Sequence, residues 1–257
     1  MQARIIPAAR GARWLFDGWR TFRAAPLGWL SLVFVYLFGT QALALVPFVG
    51  VVVALVAVPG LSVGIMGAAR AASRGGALRV AMLFDAFRSG AREQLLPGGV
   101  YLACSLVIFA AMSLADSDGA LRAALSGRGT PGQLETGDWL AAFAALALLY
   151  APVMMMFWFA PVLAAWHSAS AAKALFYSFF ACLLNWRAFL VYGALTALVM
   201  VAVPLAALSL PLLLLGAERT QMAPLVLPIL LLLLPTLFAS FYASYRDIFG
   251  TEPGIEK

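Results

Sequence analysis

The chain has 257 residues, of which 64% are hydrophobic and 11% are charged, whereas soluble domains are about half apolar and a quarter charged. A soluble fold of this length could not bury so much apolar surface, so lipid must cover part of it. The net charge of +6 could indicate nucleic-acid binding, but the basic residues lie beside apolar runs, which the positive-inside rule of membrane proteins explains more simply.

Apolar runs predict an all-α bundle of six transmembrane helices within one membrane domain, residues 1–257. A helix needs about 20 apolar residues to cross a bilayer, because its backbone amides must be satisfied inside the segment. The uncharged run from Ala24 to Ala69 is long enough for two helices, and Pro47 and Gly50 interrupt it near its middle. The predicted spans are Leu27–Pro47, Phe48–Ala69, Gly98–Ala115, Trp139–Trp166, Ala188–Leu208 and Ala223–Tyr245.

The basic residues orient these spans, because Lys and Arg gather on the cytoplasmic side of membrane proteins. With both termini in the cytoplasm, the cytoplasmic segments hold fourteen of the seventeen Lys and Arg. Those segments are 1–26, 70–97, 167–187 and 246–257. The polar loop 116–138 is then periplasmic. We therefore expect a multi-pass protein of a bacterial inner membrane.

Three short aromatic segments, each just before an odd-numbered span, resemble one another. They are Leu15–Arg20, Leu83–Arg88 and Leu175–Phe180. The first combines tryptophan, phenylalanine and arginine, as do amphipathic helices that lie in the headgroup layer with their arginines toward anionic lipid. We therefore predict three cytoplasmic interfacial amphipathic helices.

Each even-numbered span carries a proline 11 or 12 residues before a basic residue, and a proline inside a span removes a backbone bond and kinks the helix. These prolines are Pro59, Pro161 and Pro235. The pattern predicts a threefold repeat of interfacial helix, span and kinked span over about 11–70, 77–167 and 171–246, arranged around an axis along the membrane normal. The alternative is that aromatic-rich interfacial stretches look alike by composition alone.

A set of motifs through the third unit also resembles a known family. The motifs are Pro161, His167–Ser168, Ala171–Leu175, Tyr177–Cys182, Asn185 and Phe189–Gly193, with Gly18, Phe22 and Pro26 in the first unit. They resemble an uncharacterised proteobacterial family of six-span membrane proteins, and are distantly similar to the membrane domain attached to some bacterial glycerophosphodiester phosphodiesterases. The resemblance implies a membrane module only, because the chain has no paired Glu, Asp and His set for hydrolysis.

Five residues near the predicted cytoplasmic surface are candidate contacts for a lipid or solute: Arg20, Arg88, His167, Asn185 and Trp186. His167 is the single histidine and could sense pH or bind a headgroup phosphate, although a cap at the membrane interface is the simpler role. Asn185 could cap the fifth span with its side chain, and Trp186 fits the interfacial aromatic belt.

Arg20 and Arg88 each follow an aspartate by three residues, at Asp17 and Asp85. These pairs could cradle a headgroup, or they are ordinary ion pairs on a helix surface, which contribute only a few tenths of a kcal/mol. The third unit has Tyr177 in place of the aspartate, which weakens a symmetric site.

Small and flexible residues inside the spans suggest packing and, at one point, a pocket. Gly60, Gly64 and Gly67 favour close helix packing within the bundle over dimerisation. The three methionines from Met154 are apolar filling or a pocket wall.

The sequence predicts no chemistry of its own. Cys104 and Cys182 are expected to be packing residues, and two cysteines with one histidine make no metal site. No ionisable residue lies deep in a span, which argues against a proton-coupled pump, and we expect no catalytic residues, no metal and no cofactor.

These patterns favour a non-enzymatic membrane protein that acts on membrane lipids or small amphipathic solutes. The alternative is a structural or regulatory partner of another membrane protein. The discriminating feature is a polar or lipid-sized space between the kinked spans, which a carrier needs and a scaffold does not.

Overall fold

The computed structural model describes residues 2–115, 136–215 and 226–250, and every regular element in these ranges is helical. The α-helices are α1 (Arg10–Ala24), α2 (Pro26–Ala44), α3 (Val49–Ser73), α4 (Asp85–Ala115), α5 (Thr136–Phe157), α6 (Ala160–His167), α7 (Ala171–Leu184), α8 (Trp186–Leu215) and α9 (Val226–Phe249). A short 3₁₀ helix, Val80–Phe84, precedes α4. Most of the predicted loop 116–138 lies outside the described residues.

In the described ranges, five helical segments are long and apolar enough to cross a membrane. They are Pro26–Ala44, Val49–Ser73, Leu95–Ser113, Ala144–His167 and Trp186–Ala207. They match the first five predicted spans, including the third, which was the shortest. The predicted sixth span, 223–245, begins outside the described residues, and α9 is not among the five, so this span stays a prediction.

The break between the first two spans lies where the sequence places it. α2 ends at Ala44 and α3 begins at Val49, with Phe48 at a positive φ of 59° between them. A Cβ atom on Gly50 would lie 1.6 Å from the carbonyl oxygen of Leu43, so only glycine permits this approach of the two chains. Pro47 and Gly50 therefore separate the helices as predicted.

Helix α1 packs closely on the two helices at the other end of the chain, α8 and α9. Its buried face consists of Gly11, Trp14, Gly18 and Phe22. A Cβ atom would lie 2.1 Å from the Ala188 carbonyl oxygen at Gly11, and 2.4 Å from the Thr236 carbonyl oxygen at Gly18. The two glycines thus bring the backbone of α1 into contact with α8 and α9.

The start of α4 packs against α3 in a similar way. A Cβ on Gly64 would lie 2.5 Å from the Cα of Leu83, and a Cβ on Gly60 would lie 2.3 Å from the ring of Phe87. Gly67 has no atom within 4 Å of its Cβ position. Gly60 and Gly64 therefore serve packing within the chain, as predicted.

Candidate functional site

A cleft of about 210 Å³ lies between α2, α3, α4, α5, α6 and α9. We call it the central cleft. It adjoins both Pro59 in α3 and Pro161 at the start of α6, so two of the prolines predicted to distort the even-numbered spans stand at its wall. Met154 also lines it, whereas Met155 packs against the core, so one of the three methionines lies at a pocket wall and another is apolar filling.

Six aromatic rings form a large part of the wall of the central cleft. They belong to Tyr36, Tyr101, Phe157, Trp158, Phe238 and Phe241. Several stand edge to face, with ring centroids 4.8 Å apart for Trp158 and Phe241 and 5.4 Å apart for Tyr36 and Phe238. This arrangement is favourable for aromatic pairs and makes the wall apolar.

Polar groups at the central cleft are few and uncharged. Tyr101 and Tyr150 share a hydrogen bond of 2.5 Å between their hydroxyl oxygens. Ser62 donates to the Pro59 carbonyl oxygen at 2.6 Å. Among the described residues, those lining the cleft include no carboxylate, imidazole or thiol, so the arrangement suits binding of an apolar body.

The fourth predicted span is broken between α5 and α6, and Ser178 of α7 occupies the break. The Phe159 amide donates to Ser178 Oγ at 2.9 Å, and that hydroxyl donates to the Met155 carbonyl oxygen at 2.7 Å. In an uninterrupted helix Phe159 would bond Met155 directly, so the serine hydroxyl is inserted into the helical hydrogen-bond ladder. This insertion shapes the wall of the cleft at Trp158.

Two ion pairs join α1 to α9. Arg10 donates to both carboxylate oxygens of Asp247, at 2.8 and 2.6 Å, and Trp14 Nε1 donates to the same carboxylate at 2.8 Å. Arg246 donates to Asp17 at 3.2 Å. The predicted pairing of Asp17 with Arg20 is therefore wrong, because Asp17 faces α9.

Asn185 holds the amino-terminal segment. Its Oδ1 accepts from the Ile6 amide at 2.9 Å, and its Nδ2 donates to the Arg4 carbonyl oxygen at 3.0 Å. The Arg4 amide in turn donates to the Ile248 carbonyl oxygen at 2.8 Å. Asn185 Nδ2 also donates to the Ala181 carbonyl oxygen at 2.9 Å, so its side chain caps the end of α7. The predicted side-chain cap at the start of the fifth span is therefore wrong, and Asn185, at 2% exposure, has no surface for a lipid.

His167 lies at the end of α6, where it shares a 2.7 Å hydrogen bond with the Tyr245 hydroxyl. The neighbouring Trp166 stacks edge to face on Tyr245 at 5.2 Å and carries the Arg70 guanidinium 5.1 Å above its ring. His167 also lines a second, more polar hollow of about 440 Å³, together with residues 168–170, Lys173 and Tyr177. The ends of α3, α6 and α9 therefore meet at one end of the bundle.

The other candidate residues are exposed and lie outside the central cleft. Arg20 stands 4.9 Å from the ring of Phe16, and Trp186 is 51% exposed. The side chain of Arg88 is 66% exposed and lies 3.7 Å from Asp85, so this predicted ion pair is confirmed.

The two cysteines are free thiols, and Cys182 is buried in α7. Burial raises the pKa of the Cys182 thiol above its ordinary value, which keeps it protonated and unreactive. Among the residues that the structure describes, no group of three or more His, Cys, Asp and Glu could hold a metal ion.

The aromatic residues that line the central cleft are not predicted by the sequence patterns. The prolines were the available signal, because a distorted span leaves space beside it. Which rings face the cleft depends on how each helix is rotated about its axis. A helix that is apolar on all sides has no hydrophobic periodicity from which this rotation could be predicted.

The helices, their apolar length and the absence of charge at the cleft define an integral α-helical membrane protein. Along its whole length the chain is 38% identical to a protein of Burkholderia thailandensis described as a probable inner membrane protein, over 97% of that protein. The chain therefore belongs to the same family of inner membrane proteins. No family model and no solved structure matches the chain. These results show no similarity to the membrane domain of glycerophosphodiester phosphodiesterases, which stays a prediction.

Proposed function

We propose that this protein holds a lipid or a small amphipathic molecule in the central cleft, and carries it within the inner membrane or presents it there. The observation behind the proposal is the cleft itself, a mostly apolar space with six aromatic rings in its wall, beside Pro59 and Pro161. Ligand sites are concave and mostly apolar, with a few polar groups that fix orientation. An apolar cavity of about 150 Å³ holds benzene. The central cleft, at about 210 Å³, is large enough for a ring system or part of an acyl chain.

The proposed architecture is six spans and three interfacial helices in a threefold repeat. Matching positions of the three aromatic segments support it. The fourth position is small and buried in each, at Gly18, Ala86 and Ser178, and the second is an exposed phenylalanine, at Phe16, Phe84 and Phe176.

Packing between the units supports the same proposal. Each aromatic segment contacts the distorted span of the preceding unit in a cyclic order. Gly18 meets α9, Leu83 meets α3, and Ser178 meets the break between α5 and α6. This order would place the three distorted spans around one axis, and side chains of all three line the central cleft.

The exposed aromatic and basic residues beside the bundle are proposed membrane contacts. Phe16, Arg20, Arg88, Trp186 and His167 would meet headgroups on the cytoplasmic side, where the basic residues of the sequence concentrate. Both termini would lie on that side. The proposed role is non-enzymatic, because the described lining of the cleft has no carboxylate, imidazole or thiol to act on a ligand.

The test is native mass spectrometry of the protein extracted in a mild detergent. We expect a retained lipid or small molecule in the wild type and its loss in Ser62→Phe, which fills the cleft. Val52→Phe is the matched control, because Val52 lies on the same helix and is 44% exposed on the outer surface. Ser62→Leu replaces the phenylalanine variant if circular dichroism shows that the latter is unfolded.

Equal retention in Ser62→Phe and Val52→Phe would exclude the central cleft as the site. No retained molecule in any form of the protein, together with no transport in vesicles, would favour the structural or regulatory role. The same spectra give the number of subunits.

A further inference from the structure

We infer that the central cleft selects uncharged molecules that combine an apolar body with a carbonyl oxygen, and that Tyr36 donates the hydrogen bond that recognises this oxygen. The inference rests on the proposed function and names the ligand class of the same site. Four observations lead to it: the aromatic wall, the missing charge, the paired hydroxyls of Tyr101 and Tyr150, and the state of the Tyr36 hydroxyl.

The aromatic wall selects for the body of the ligand. Six of the lining side chains are rings, contributed by α2, α4, α5, α9 and the turn before α6. Rings present large, stiff apolar faces, so they favour flat or chain-like hydrocarbon over polar solutes. An ionised ligand would enter a low-dielectric space that holds no countercharge, and such a transfer is strongly unfavourable.

The hydroxyl groups of the cleft select for the polar part of the ligand. In the described part of the chain, the Tyr36 hydroxyl makes no hydrogen bond, although Tyr36 lines the cleft. A hydroxyl without a partner in an apolar environment is unfavourable. A ligand oxygen in the cleft would supply that partner.

Tyr101 and Tyr150 are already paired with each other, so they compete less for the ligand. Tyr36 and Tyr101 stand on different helices and both line the cleft, so a ligand oxygen that accepts from Tyr36 would lie beside the paired hydroxyls. A tyrosine hydroxyl donates one proton, and a carbonyl oxygen accepts two bonds. A carbonyl-bearing amphiphile therefore fits better than a plain hydrocarbon or an ammonium group.

The experiment uses two probes of equal shape that differ at one atom, 2-acetylnaphthalene and 2-ethylnaphthalene. Their binding to the full-length protein in detergent is measured by equilibrium dialysis against protein-free micelles, in the wild type, Tyr36→Phe and Tyr177→Phe. Tyr177 is 39% exposed outside the central cleft and provides the matched control for losing a phenol hydroxyl.

We expect Tyr36→Phe to weaken binding of the ketone about fivefold, the effect of one neutral hydrogen bond, and to leave binding of the ethyl probe unchanged. Tyr177→Phe should change neither. Comparing variants with the same probe removes the difference in micelle partition.

An equal loss for both probes would show that Tyr36 acts only by packing, and no loss for either would show that it makes no contact; both results overturn the inference. If both probes bind the wild type, Ser62→Phe excludes both, and Tyr36→Phe does not weaken the ketone more than the ethyl probe, the proposed function stands and this inference fails. If neither probe binds the wild type, the inference falls, while retained lipid in the mass spectrum still decides the proposed function.

Discussion

Replacing Ser178 by alanine removes the hydroxyl that bridges the break between α5 and α6. Ser178 is fully buried, and its loss leaves the Phe159 amide and the Met155 carbonyl without their partner. Each unsatisfied buried group costs about 1–3 kcal/mol. Because the two groups sit close together and relax partly, we expect the free energy of unfolding to fall by about 2–4 kcal/mol.

The assay is unfolding of the purified protein by SDS in mixed micelles, followed by circular dichroism. Ser31→Ala is the control, because Ser31 is exposed and its hydroxyl only bonds the Leu27 carbonyl of its own helix. Its effect should stay within about 0.5 kcal/mol. If Ser178→Ala is as mild as the control, the helix closes its own ladder and the serine does not hold the break open.

Three further predictions concern the packing of α1 and the buried thiol. Asp247→Asn should lower the free energy of unfolding by about 2 kcal/mol, because the Asp247 carboxylate is 9% exposed and accepts three hydrogen bonds. The control Asp85→Asn, at a side chain that is 62% exposed, should lower it by less than about 0.5 kcal/mol. Unfolding in SDS compares the two variants. Gly18→Ala should destabilise the protein by about 2 kcal/mol or more, because the new Cβ would overlap α9. Gly39→Ala should not, because no atom lies within 4 Å of the Cβ position of Gly39. Thermal unfolding in detergent distinguishes the two variants. Cys182 should not react with maleimide at pH 8 until SDS unfolds the protein, because burial raises the pKa of its thiol. Peptide mass spectrometry measures the labelling, and rapid labelling of Cys182 in the folded protein would contradict its burial.

The sequence predicts well what depends on local composition. Apolar length alone places five spans, and Pro47 with Gly50 places the turn between the first two. The small residues Gly60 and Gly64 also pack inside the chain as predicted, because a missing side chain matters wherever helices approach.

What depends on distant partners could not be predicted in this way. Asp17 pairs with Arg246, which is 229 residues away, and a local rule had paired it with Arg20. Asn185 sits at a helix start, where a cap is the usual role, yet its amide matches the extended backbone of Arg4 and Ile6. The rings of the central cleft were missed because uniformly apolar helices do not reveal which side faces inward.

The attachment of α1 to α9 has a consequence for biosynthesis. The partners of Asp17 and Arg10 are made 229 and 237 residues later. At about 5–20 residues per second, α1 waits roughly 10–50 s before its docking surface exists. For most of that time its glycine-lined face and Trp14 have no protein to cover them, because α8, their other partner, is also made late. We therefore expect the membrane surface or the insertion machinery to shelter the first helix. The bundle closes only when its last helix arrives.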